Sequence, residues 1–138
     1  MAYQRFQEGF RKLIVWQEAH ALTILLYKVT TSFPSHERFG LTSQLRRASS
    51  SSIGAQIAEG SRMSSSAHRR IYYERAYASA AEVDNFLELS LDLLYLTSEQ
   101  YQELLAHVNR TSYLLHQLTN SLHQKCSPTV LTLPTLPT

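Results

Sequence analysis

Cysteine is almost missing from this 138-residue chain: Cys126 stands alone, so no internal disulfide can form and the chain suits a reducing compartment. Glycine and proline number four each, and three of the prolines, Pro128, Pro134 and Pro137, fall in the last eleven residues. The body before them is nearly free of helix breakers. Leu, Ala, Gln, Glu and Arg fill it while Val and Ile are few, which favours all-α over mixed α/β. No apolar run approaches the roughly 20 residues of a membrane span. The longest near the start, Leu13 to Trp16, is far short of a secretory core, so a cytoplasmic location is expected. Gly40, Gly54 and Gly60 are too dispersed for a phosphate-binding loop.

What is present is helical rhythm, in a length suited to one domain. Val15, Ala19, Leu22, Leu26, Val29 and Phe33 recur at spacings of four and three, the seam of a bundle helix, and predict a first helix from about Phe10 to Ser32. The stretch Phe39 to Gly60, FGLTSQLRRASSSSIGAQIAEG, predicts a second. Leu41, Leu45, Ala48, Ser52 and Ala55 lie on one face, Ile53 and Ile57 form a neighbouring row, and Gly60 serves as the stop. Its small residues let another helix come close. A third helix is expected from about Ser66 to Leu96, capped by one of Ser64, Ser65 or Ser66. Its face is Tyr72, Ala76, Ser79, Val83, Phe86, Ser90 and Leu93, with a second small patch at its centre. Thr97 and Gln100 have capping-box spacing and open a fourth helix, whose heptad runs Tyr101, Leu104, Val108, Thr111, Leu115, Leu118, Leu122 and frays near Gln124 or Lys125. Residues 1–126 therefore read as a four-helix bundle. The tail 127–138, SPTVLTLPTLPT, reads as extended or disordered.

Chemistry-bearing constellations are scarce. A di-metal bundle site needs Glu-x-x-His pairs, and none occurs. Glu103 and His107 are four apart, suited to a helix-surface pair, and His116 and His123 share one side of the fourth helix without forming a ligand cluster. Ser49 to Ser52 lack a histidine–carboxylate partner to activate a hydroxyl. The expectation is a non-enzyme with no metal and no cofactor.

Net charge is only +2, but it is unevenly placed. From Arg38 to Arg75 there are seven basic residues against two acidic ones; from Glu82 to Glu103 there are six acidic residues and no Lys or Arg. Arg46 and Arg47 project from the second helix, and Arg62, Arg69 and Arg70 surround the turn into the third. Arginine forks bind phosphates bidentately, so these five are the candidate nucleic-acid-binding residues, with Tyr72 and Tyr73 placed to stack on unpaired bases. The opposing reading pairs Arg47 with Glu59 or an acid of the third helix. Apolar residues outside the seams, among them Trp16, Leu25 and Tyr77, point to self-assembly.

Three segments carry a resemblance: LIVWQEAH at Leu13 to His20, FPSHERFGLTSQLRRA at Phe33 to Ala48, and SIGAQIAEG at Ser52 to Gly60. Together they resemble the four-helix-bundle family of ribosomal RNA intervening-sequence proteins, which is distantly similar to the accessory variability determinants of diversity-generating retroelements. Where the family pattern has proline and asparagine, this chain has Gly54 and Gln56, which implies a smoother helix turn here. The resemblance implies an antiparallel up-down four-helix bundle assembling into a ring, a homopentamer, in a bacterial setting. With the arginine cluster it gives a non-enzymatic, RNA- or DNA-binding oligomer as the expected function. Two alternatives follow from it: an accessory protein that binds a reverse transcriptase and its template RNA, and a purely structural scaffold.

Overall fold

The apolar seam of the first helix is buried along its whole length: Val15, Ala19, Leu22, Leu26, Val29 and Phe33 all face the core. The computed structural model describes residues 9–126. The expectations for residues 1–8, for the 127–138 tail and for the side chains of His123 and Cys126 lie outside the described residues. Four long helices carry the fold, and no strand occurs among the described residues. A single 3-10 turn, Gly9–Lys12, precedes α1, Ile14–Thr30, so the α-helix starts four residues later than its sequence suggested.

Helix α2 is one rod of three consecutive pieces: α-helical Leu41–Arg47, π-helical Ala48–Gly54 and α-helical Ala55–Ser61. The expected smoother turn is thus a wide one. A π-helix bonds five residues back and adds a residue to the turn, so the buried row shifts. It runs Leu41, Leu45, Ala48, then Ser49, Ile53, Ile57 and Gly60, while Ser52 and Ala55 are left only half-buried. The hydroxyls of Ser49 and Ser50 both donate to the Arg46 carbonyl, where the ladder changes register.

Gly60 does not stop this helix, which continues to Ser61. It is buried because a Cβ there would sit 2.8 Å from Tyr72 Cβ and 2.9 Å from Tyr73 Cε1. Its missing side chain lets α3 approach.

Helix α3, Ser66–Asp92, starts at Ser65, whose hydroxyl accepts the His68 amide at 3.1 Å. Its core row is Tyr73, Ala76, Ala80, Val83, Leu87 and Ser90. Ala76, Val83 and Ser90 were expected; Tyr72, Ser79 and Phe86 flank the row half-buried, and Leu93 is exposed. The helix also ends four residues before Leu96. Leu94 takes the left-handed conformation, φ 63°, while its amide bonds to Leu91 O and the Tyr95 amide to Ser90 O. That is a Schellman closure, in which glycine is the usual occupant.

Thr97 and Gln100 form the expected capping box, each side chain accepting the other's amide, at 3.1 and 3.0 Å. Helix α4, Ser98–Cys126, buries Leu104, Val108, Thr111, Leu115 and Leu122 as its heptad requires. Each helix packs on two neighbours: α1 on α2 and α4, and α3 on α2 and α4. Ring contacts fix which levels meet, with Phe33 against Tyr95 at 5.4 Å and Tyr77 against His116 at 5.9 Å.

Two substitutions test this packing by chemical denaturation. Gly60→Ala should destabilise by about 1–3 kcal/mol, because the new methyl meets two tyrosines on a neighbouring helix. Leu94→Gly should stabilise by about 1 kcal/mol, since it relieves the left-handed strain of an exposed leucine. An unchanged Gly60→Ala protein would refute the close approach.

Candidate nucleic-acid interface

Charge on this fold follows helix order, so the basic residues gather on α2 and the start of α3, and the acids on the far half of α3 and the start of α4. The structure divides the five candidate arginines by what their guanidinium groups already do. Arg46 is half-buried. Its Nε donates to Thr30 Oγ1 at 2.9 Å, its Nη2 to Tyr27 O at 3.4 Å, and its guanidinium lies 4.7 Å from the Tyr27 ring centroid. It ties α2 to the end of α1. It also stands sixteen residues from Arg62, about 24 Å along a helix, so the five do not form one cluster.

At the other end of α2, Arg62 and Arg69 come together. Arg69 Nε donates to Met63 O at 2.6 Å, which fixes the turn between α2 and α3. Arg62 is exposed, and its guanidinium has no partner among the described residues. Both line a depression of 280 Å³ with Ser61, Tyr73, Leu118 and Leu122, and no carboxylate is part of the lining. Burial pushes the Tyr73 hydroxyl pKa up, and the Arg69 charge partly offsets that. Arg70, one residue on, lies 3.5 Å from Glu74 in an i,i+4 ion pair. Arg47 is exposed on α2, and its pairing with Glu59 or an acid of α3 does not occur. Chemically, the Arg62–Arg69 depression can hold a phosphate, while Arg46 has little left to offer one.

Nothing in the sequence pattern marked a second charged group. Glu18 of α1, with its side chain only 17% exposed, bridges to α4 through His107 Nδ1 at 2.6 Å and Arg110 Nε at 3.3 Å. Its members lie 89 and 92 positions apart in sequence, so no local spacing could reveal it. His107 thus pairs across the bundle rather than with Glu103. No nucleophilic side chain belongs to this set. Among the described residues, no group of three metal-ligating side chains occurs, and no helix is long and apolar enough to cross a membrane.

On the acidic side, the Tyr101 hydroxyl donates to Glu88 Oε2, joining α4 to α3. That bond, then burial, then the charges of Glu88, Asp84 and Asp92 push the tyrosine pKa up to about 12.

A family model described as 23S rRNA-intervening sequence protein matches residues 11–117. Among solved structures, one from Bacteroides thetaiotaomicron, described as a protein with unknown function from the S23 ribosomal protein family, aligns with a TM-score of 0.70 at 23% identity. The alignment covers 78% of this chain and 96% of that one, and at this identity it shows a common fold. No curated protein matches the chain.

The raised Tyr101 pKa has a definite sign. Its neutral form is favoured in the folded state, so the stabilisation is complete below the unfolded value of about 10 and is lost as pH rises through about 12. In unfolding titrations across that window the parent should lose more stability than Tyr101→Phe. Parallel curves would show that the bond to Glu88 contributes nothing.

Proposed function

Because the chain belongs to the 23S rRNA-intervening sequence protein family, we propose that it is a non-enzymatic, antiparallel up-down bundle that assembles into a ring and binds RNA through the α2–α3 turn. The pairing of Phe33 with Tyr95 and of Tyr77 with His116 supports the antiparallel course, as does the short connection from Asp92 to Ser98. Exposed apolar side chains support assembly: Ile14 is 60% exposed, Tyr113 61%, and Phe39 and Leu94 87%.

The observation that carries RNA binding is the depression holding Arg62 and Arg69 with no carboxylate in its lining. In this reading those two arginines grip phosphate, Arg70 adds a contact beside them, Arg47 meets the RNA farther along α2, and Arg46 acts as a packing residue. Contacts of this kind bind backbone and carry little sequence information. A scaffold ring without RNA is the second reading, favoured by the engagement of Arg46 and Arg70 within the chain.

Alanine variants separate the two readings when each is checked for assembly. Arg62→Ala and Arg69→Ala should each weaken a structured RNA and lower the salt slope by about one. Arg46→Ala should instead cost about 1 kcal/mol of stability and leave RNA affinity alone. Equal RNA affinity in all three variants and the parent would favour the scaffold.

A further inference from the structure

Helix α1 and the 3-10 turn before it carry a ladder of rings that the proposed RNA contacts do not use. Trp16 stacks on His20 with centroids 4.6 Å apart and planes 16° apart, and Phe10 meets Trp16 edge-on at 5.0 Å. These three rings form one wall of a cavity of 300 Å³, and the opposite wall is the small-residue face of α2, with Gly54, Ala55 and Ala58. The floor is apolar. The two hydroxyls at its rim, of Thr23 and Ser50, already donate to helix carbonyls. The Trp16 indole N–H donates to nothing among the described residues. An aromatic groove with one available indole donor is the kind of surface that receives a polyproline II strand, the rings seating proline and aliphatic side chains and the indole bonding a carbonyl.

The chain contains a segment of matching chemistry. Residues 127–138 repeat with a period of three: Thr129, Thr132, Thr135 and Thr138 form one row; Val130, Leu133 and Leu136 a second; Pro128, Leu131, Pro134 and Pro137 a third. Three residues per turn is the polyproline II period, so this spacing yields two adjoining apolar faces and one hydroxylated face. The family match ends at residue 117, which makes the segment a feature of this chain beyond the matched region.

The ends are also well placed. Leu122, one helical turn before Cys126, lines the same depression as Gly9 and Leu13, beside Phe10 and one turn before Trp16. Twelve residues at about 3.1 Å each span roughly 37 Å, ample to cross the start of α1. Attachment to the same chain supplies a high effective concentration.

We propose that residues 127–138 dock in cis as a polyproline II strand in the Phe10–Trp16–His20 groove, with the apolar rows inward and the threonines outward. Trp16 is the sole tryptophan, so its fluorescence reads the groove directly. The chain ending at Cys126 should keep its circular dichroism, shift its emission to longer wavelength and become more open to acrylamide quenching. Added peptide SPTVLTLPTLPT should reverse both changes. In the full chain, Leu133→Asp combined with Leu136→Asp should reproduce the exposed state, which covers the case of a truncated chain that fails to fold. Identical emission and quenching in parent and double variant would overturn the proposal, as would occupancy of the groove by residues 1–8, which gives that same result. A parent signal that fades on dilution would also overturn it, by placing the segment on a second copy.

Discussion

The bundle depends on how near α2 and α3 come to each other. Gly60 presses against Tyr72 and Tyr73, and farther along the rods Ala48 and Ser49 on α2 and Ala76 and Ala80 on α3 are sealed from solvent. Small residues bring backbones together, and the dispersion contacts so gained are individually tiny but numerous. The π-helical segment belongs to the same constraint. It turns the buried row of α2 by one position, so that Ile53 and Ile57 enter the core below Ala48. The turn between α2 and α3 inherits its position from this contact, and with it Arg62 and Arg69.

The sequence read well where one rule governed. The seam of α1 and the heptad of α4 are each a single period held against two neighbours; the first was legible residue by residue, the second except at Tyr101 and Leu118, which flank the core half-buried. So was the capping box at Thr97 and Gln100, because that motif is local. It read poorly where the chain obeys tertiary demands. The π segment has no local signature in ASSSSIG, so the face drawn through Ser52 and Ala55 drifted by a position. Gly60 looked like a stop because glycine usually ends helices, yet here it serves a contact with a helix that follows it. The close of α3 at Leu94 was hidden because leucine is a poor marker for a left-handed residue.

The candidate site shows the same division. Clustering in sequence nominated five arginines, and helical geometry sorted them, since residues 46 and 62 sit near opposite ends of one rod. Arg46 was absorbed by Thr30 and Tyr27, groups it reaches only once α1 and α2 are packed. The Glu18–His107–Arg110 bridge is the converse, a charged cluster made wholly by the fold. An arginine on a helical bundle thus has two uses, stapling a neighbour or meeting a ligand, and only its surroundings tell which. The rings of α1 follow that logic for apolar groups: a stacked pair left at the surface calls for a covering strand.

The most direct measurement is binding of the assembled parent protein to a labelled structured RNA at two salt concentrations, with its mass in solution read in parallel. With Arg62 and Arg69 each gripping one phosphate, those two contacts alone should lower affinity about twelvefold when salt rises fourfold, and further contacts should steepen the fall, because the counterions released from phosphate must be displaced again. A ring of unchanged mass that binds no RNA at the lower salt would contradict the account and leave the arginines at the α2–α3 turn to assembly alone.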